Sequence, residues 1–347
     1  MKKILILAFC FLPLIILWAT GAEKIPVAEL KLVCSFPEDD LYFGSFPAID
    51  IDKEGFIYAV DNREHTVFIF NKEGKLLGKF GGWGQGPGEL QWPAKISVDK
   101  KSGEIFVKDN TGINMFGPGR DFIRRIRTFT GILNLDAGNG RIAVIEPIPG
   151  ENDLIGLYDY RGFRIKSLGR KYDLDYSKSQ EIPPVLLDRM ANDGAVLLDG
   201  NHVYYVSYVF AEIRKYDLSG EPISVKKLSI PEDIEKYRKQ YRQILFETGV
   251  KKNKDGTITN FRILNDACLY GEHIYLLMLG YITNGRYQII VVDKQSLEVK
   301  KRMILPSGLW PENIRVFPSN NRNTPLFLIS FQDQASGSFL LGILKED

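Results

Sequence analysis

Two consecutive stretches of the chain can be laid over one another. FPAIDIDKEGFIYAVDNREHTVFIFNKEGKLLGKFG (46 to 81) and WPAKISVDKKSGEIFVKDNTGINMFGPGRDFIRRIRTF (92 to 129) both open on an aromatic-Pro pair. Each continues through a strand, an Asp-Lys-x-(x)-Gly turn, a strand ending near Asp-Asn, a third strand ending in Phe, a Gly turn and a fourth strand. Within the strands the apolar residues alternate or run for about five positions between Gly, Asp and Asn, which is strand rather than helix periodicity. A unit of this size cannot bury both faces of its own sheet, so a repeat constrains the fold more than any composition does.

The pattern recurs with more decay. Phe70, Phe116, Tyr158, Tyr216 and Val292 end successive third strands, at spacings of 46, 42, 58 and 76. The first two match one four-stranded propeller blade of about 40 to 50 residues, and the longer two contain insertions. A sixth unit runs from WPENIRVFP (310 to 318) through PLFLISF and GSFLLGILKED and stops one strand short, while AELKLVCSFP (28 to 37) precedes the first aromatic-Pro. An open ring would leave two long sheet edges, which the N-terminal strand removes by completing the last blade. The expected fold is therefore an all-β, six-bladed β-propeller closed by the N-terminal strand. Its blades are 46–81, 92–129, 131–169, 185–228, 265–305 and 310–347 plus 28–37, with a helical insertion at 229–264 between blades four and five.

Residues 47 to 127 resemble NHL-type repeats in Pro47, AIDID, Gly55, IYAVD to Asp61, VFIF, Gly74, KFG, the Gly-rich joint GGWGQGPGELQ and Pro93. The resemblance implies a six-bladed propeller of a class commonly used as an interaction platform.

The N-terminus, MKKILILAFCFLPLIILWATGAEK, orders basic, apolar and small residues as a secretory signal does, with cleavage near Gly21 or Ala22. Residues 1–22 are thus expected to be removed and 23–347 to form the propeller, periplasmic or secreted; an uncleaved segment would instead anchor it to a membrane. Without Lys2 and Lys3 the 45 basic residues become 43, matching the 43 acidic ones. A neutral chain without basic runs disfavours nucleic acid and anionic membrane as partners. Cys34 and Cys268 fall on the outermost strand of the closing blade and the innermost strand of the fifth, too far apart to bridge.

In a propeller the first-to-second and third-to-fourth strand turns share one face, and here they are short, with NDGAVLLDGN and PSNNRNT as the longer exceptions. The opposite face receives the blade-to-blade links, including 81–91 and about sixteen residues from Arg170 to Val185, and binding is expected there, over the central channel. The segment 230–249 carries helix start and stop signals and one apolar stripe, reading as a helix laid on the rim or as a lid. Trp92 and Trp310 occupy the place of Phe46 before Pro and are expected to wedge between blades, whereas Trp83 has no counterpart. Trp83, with Tyr42, Tyr172, Tyr281 and Arg63, forms the candidate ligand-contacting set.

The three histidines cannot converge, because His202 and His273 follow short turns and His65 lies on the opposite face. Asp61-Asn62 and Asp109-Asn110 recur at one blade position; they either hold a calcium ion at the channel mouth or close turns onto local amides. No nucleophile elbow or His-Glu-x-x-His motif is present, so no catalytic residue is assigned. The leading reading is a monomeric, exported binding module for a protein, peptide or glycan, with no cofactor. The alternative is a calcium-assisted hydrolase or lyase of the six-bladed lactonase or amidating-lyase kind.

Overall fold

The computed structural model describes residues 25–37, 41–127, 131–172, 183–228, 262–279, 286–319 and 324–347. Twenty-four strands among them build six blades. Blade one is β2 (Ala48–Ile51), β3 (Ile57–Asp61), β4 (Thr66–Phe70) and β5 (Leu76–Gly81), paired in that order. Blade two is β6 (Lys95–Val98), β7 (Ile105–Asp109), β8 (Gly112–Phe116) and β9 (Phe122–Ile126); blade three is β10 (Asn134–Gly138), β11 (Arg141–Ile145), β12 (Asp153–Asp159) and β13 (Arg164–Arg170). Blade four comprises β14 (Gly194–Asp199), β15 (His202–Ser207), β16 (Glu212–Asp217) and β17 (Pro222–Lys227), and blade five β18 (Leu264–Tyr270), β19 (His273–Met278), β20 (Gln288–Asp293) and β21 (Val299–Ile304).

Blade six is made of both ends of the chain. β22 (Leu309–Pro318), β23 (Pro325–Asp333) and β24 (Phe339–Glu346) are followed in the sheet by β1 (Val27–Phe36), antiparallel to β24 from Leu30↔Glu346 to Phe36↔Leu341. The first residues of β1 also run parallel to β21, Val27↔Arg302 to Glu29↔Ile304, which joins blades five and six into one eight-stranded sheet. The chain is thus an all-β propeller closed by its N-terminal strand.

Burial explains the strand patterns. The inner strands AIDI, IYAVD and TVFIF are buried along their whole length, because neighbouring blades cover both sides. Outer strands such as β5 and β17 alternate toward solvent. Six apolar clusters result, each contributed by the facing sides of two adjacent blades: Ile49, Phe68 and Phe317 pack between blades six and one, Val60, Ile96 and Val107 between one and two, and so on around the ring. Glycine is required where the backbone turns closely. Gly112 has φ +141°, and a Cβ there would sit 2.3 Å from the Ile126 carbonyl oxygen.

The structure departs from the sequence reading in three places. Blade four begins at Gly194 rather than 185, because Pro184–Ala191 form a helix, α1, that buries Leu187, Met190 and Ala191. Pro183-Pro184 was its start signal, since proline is tolerated only in a first turn. The stretch NDGAVLLDGN is accordingly no long turn: Gly194–Asp199 is an innermost strand and only two residues separate it from β15. Trp92 and Trp310 are 47% and 50% exposed, so they do not wedge between blades. The predicted helix at 230–249 lies outside the described residues. Both described cysteines are free.

Phe36 anchors the closure, 3% exposed and 5.2 Å from the Phe70 ring of blade one. Phe36→Ala is expected to lower the unfolding free energy by about 3 to 5 kcal/mol. Val33→Ala, on the same strand at a 52% exposed position, should change it by less than about 1 kcal/mol. Urea denaturation of both variants checks this, and equal losses would contradict anchoring through Phe36.

Candidate functional site

The innermost strand of each blade is a sheet edge, and its outward-facing N–H groups need partners. Three carboxylates supply them across blade boundaries. Asp50 of blade one accepts the Val98 N–H of blade two at 2.7 Å, Asp136 of blade three accepts Leu198 N–H of blade four at 2.8 Å, and Asp266 of blade five accepts Ile314 N–H of blade six at 3.0 Å. The remaining boundaries are bridged by side chains. Ser97 Oγ donates to Asp136 at 2.8 Å and Tyr208 Oη to Asp266 at 3.0 Å. Arg315 reaches both Asp50 (Nε to Oδ1, 3.2 Å) and Asp266 (Nη1 to Oδ2, 2.7 Å). All six boundaries are thereby tied around the axis.

These groups set the electrostatics of the channel. Burial works against the Arg315 charge, but Asp266 and Asp50 hold its pKa above the ordinary guanidinium value. Burial raises the Asp136 carboxyl; the Leu198 N–H pulls it back and the Asp50 charge adds to the rise. Burial pushes the Cys268 thiol up to about 12, which leaves it protonated. A cavity of about 390 Å³ lies inside this ring, with Asp50, Ser97, Asp136, Asp266, Cys268 and Arg315 in its walls. Its short-turn end is lined by the turn residues Lys100, Lys101, Asn139 and Gly271 and by Asp199 at the end of β14. The cavity therefore opens on the short-turn face, opposite to where the loop lengths had pointed. At the other end Arg262 pairs with Asp193 (2.6 Å) and Glu312 (3.2 Å), and burial holds the Lys95 ammonium below the usual lysine range.

On the long-loop face the Gly-rich joint 81–91 is held rigidly. Arg125 donates to the carbonyls of Gln85, Gly86 and Glu89, and Glu89 accepts the Gly86 N–H at 2.7 Å. Gly81, at φ +95°, is needed because a Cβ would come within 2.9 Å of Leu90. This presents Trp83, 58% exposed, with its ring centroid 4.4 Å from His65; Trp92 lies 4.9 Å from His65 and 5.9 Å from Trp83, nearly perpendicular to both. His65 is buried, and its Nδ1 accepts the Trp92 N–H at 3.1 Å. Both His65 (φ 54°) and Trp92 (φ 53°) occupy the left-handed region, uncommon for any side chain and an outlier for a bulky one.

The other candidate residues are placed as follows. Tyr42 is 69% exposed, and Arg63 is exposed with its stem against Gly44. Tyr172 is enclosed: its hydroxyl donates to Glu212 at 2.9 Å, Arg214 lies 4.1 Å over its ring, and Phe210 packs beside it. Tyr281 lies outside the described residues. Asp61 accepts the N–H groups of Gly44, Arg63 and Glu64, and Asp109 those of Gln91 and Thr111 plus the Thr111 hydroxyl. Each carboxylate thus ties the link entering its blade to its own second-to-third-strand loop. Asn62 donates to the Pro93 carbonyl of the next blade at 2.9 Å, whereas Asn110 is exposed and donates its backbone N–H to Gln91. Among the described residues no group of three or more His, Cys, Asp or Glu side chains has metal-holding geometry. The sequence reading missed His65 as part of the tryptophan cluster; its position in the loop facing Trp92 of the next link was the available signal.

A family model described as a 6-bladed beta-propeller matches residues 38–123. The Drosophila melanogaster protein brain tumor is 27% identical over 134 residues, 35% of this chain, and the match spans 13% of that protein's length. Among solved structures, a protein from Bacteroides fragilis NCTC 9343 whose name calls it exported aligns over 91% of this chain and 94% of its own, with TM-score 0.53 and 12% identity. A catalytically inactive virginiamycin B lyase from Staphylococcus aureus, solved with quinupristin, covers 91% of this chain and 99% of its own, with TM-score 0.50 and 13% identity. At these identities the structural likenesses speak to the propeller fold alone. No described helix is long and apolar enough to cross a membrane.

The channel carboxylates yield a prediction about pH. Asp136 has a folded pKa above its unfolded value near 3.9, so its contribution to stability is complete below about pH 3.9 and declines as pH rises through the folded value. The difference in unfolding free energy between wild type and Asp136→Asn should therefore shift in favour of the variant as pH rises above about 4. Urea denaturation at several pH values measures it, and a shift the other way would mean that the ionised form is the favoured one.

Proposed function

We propose that the protein is an exported, monomeric binding module of the NHL-like propeller type that recognises a protein, peptide or glycan through its long-loop face, without catalysis. The observation that carries this reading is the pair Trp83 and Trp92. Two half-exposed indoles are held over a buried histidine by a loop pinned through four hydrogen bonds, with backbone strain at His65 and Trp92. Exposed indoles fixed in place offer stacking area at little ordering cost, which suits a sugar ring or a peptide side chain. Strain at a surface aromatic persists when the surroundings over-determine it, a pattern that clusters at ligand sites. Export is supported by the basic, apolar and small-residue order of the first 22 residues.

The calcium-assisted alternative draws less support, because the Asp61 and Asp109 carboxylates are already engaged by backbone amides. The test is binding of the purified protein to glycan and peptide arrays, followed by titration of each hit against tryptophan fluorescence. Trp83→Ala is expected to weaken binding by about tenfold or more, since an aromatic anchor is worth on the order of 2 kcal/mol, while its far-ultraviolet circular dichroism stays that of the wild type. Hits that bind Trp83→Ala as well as wild type would refute the reading, and a melting temperature that rises only with calcium would favour the alternative.

A further inference from the structure

We infer that the cavity at the short-turn end of the channel is a binding site for a small zwitterion the size of a free amino acid, with its ammonium at Asp136 and its carboxylate at Lys100. This goes beyond the proposed function, since it concerns the opposite face. The cavity, about 390 Å³, falls at the lower end of the range for small-molecule sites, and residues from all six innermost strands or their following turns line it.

The charges in its walls do not balance where they stand. Asp50, Asp136 and Asp266 contribute three carboxylates and Arg315 one guanidinium, and that guanidinium is committed to Asp50 and Asp266. Asp136 receives only neutral donors: the Leu198 N–H on Oδ2, and the Ser97 hydroxyl and Ala137 N–H on Oδ1. An ionised carboxylate accepts about four hydrogen bonds, so Oδ2 retains room for a donor. Lys100, exposed at the mouth, attracts Asp136 electrostatically, yet among the described residues it makes no ion pair. An anion in the wall and a cation at the rim, with no ion pair between them, complement a ligand that carries both charges. A lone cation would leave Lys100 unmatched, and a lone anion would face the surplus carboxylates.

The remaining groups fit such a ligand. Val196, Leu197, Ala267, Leu269 and Val316 supply apolar wall for a side chain. Cys268 lines the same cavity, 5% exposed and in no disulfide. The rim carboxylates are already used, Asp99 accepting from the Tyr160 hydroxyl at 2.6 Å and Asp199 pairing with Lys294 at 3.1 Å, while Lys101 stands exposed beside Lys100 as a second rim cation.

The test titrates the purified protein by calorimetry with each common L-amino acid, and with ethylamine and propionate as single-charge probes, all at constant ionic strength. At least one amino acid should bind at least tenfold more tightly than either probe. Asp136→Asn and Lys100→Met should each weaken that binding by about tenfold or more, in line with loss of a charge-assisted contact. Lys100 is exposed, so its variant keeps the test valid should Asp136→Asn fail to fold. Trp83→Ala should bind the amino acid as wild type does. The inference is overturned if no amino acid outbinds the single-charge probes or if Lys100→Met binds as wild type. Loss of amino-acid binding in Trp83→Ala would likewise overturn it by moving the ligand to the long-loop face.

Discussion

Arg315 stands between Asp50 and Asp266, and the closure of the ring at its axis depends on that contact. Five of the six blade boundaries lie between units consecutive in the chain, but the boundary between blades six and one joins residues 265 positions apart. Loop closure over such a length must be offset by contacts at the seam. The outer half of the seam is closed by β1 on β24 and by Phe36 against Phe70. The inner half is closed by a guanidinium shared between two carboxylates, one on each flanking blade. The Arg315 side chain is 20% exposed, so removing one partner strands a partly buried charge at a cost below the roughly 3 to 5 kcal/mol of a fully buried pair. That asymmetry favours register over raw stability, because a blade displaced around the axis would leave Arg315 unpaired.

The same chemistry recurs without the arginine. Asp50, Asp136 and Asp266 sit on alternate blades, and each accepts an inner-strand N–H of the blade that follows. An edge strand facing a narrow channel has no further strand to pair with, and a carboxylate from the neighbour answers its donors while keeping the axis open. This leaves a polar cavity at the axis, encircled by the apolar clusters that fill the blade boundaries. Structure and candidate chemistry thus share residues, since the groups that tie the blades together are also those that charge the cavity.

Much of the architecture was legible because it is local. Strand, turn and strand again are set by apolar alternation and by Gly and Asp at turns, and the missing last strand at one end matched the surplus strand at the other. The helix α1 was overlooked because its apolar residues sat where a strand was wanted by blade spacing, while the signal in Pro183-Pro184 was purely local. Of the candidate residues, Trp83 and Tyr42 stand exposed as their loop positions implied, but Tyr172 is enclosed by Arg214 and Phe210, contacts that no spacing announces. His65 became informative only when the fold placed its ring against Trp83 and Trp92.

What the sequence by itself determined is the blade: its four strands, its short and long connections, and the closing role of the N-terminal strand. These follow from periodicity and turn chemistry within about 45 residues. What only the tertiary structure decided is which face holds the cavity and which polar residues meet across the axis. Asp50, Asp136, Asp266 and Arg315 look alike in one dimension, as single charged positions in apolar strands. Their meeting depends on the rotation between blades and the register of each inner strand, which arise from packing between distant segments and leave no mark in any one of them.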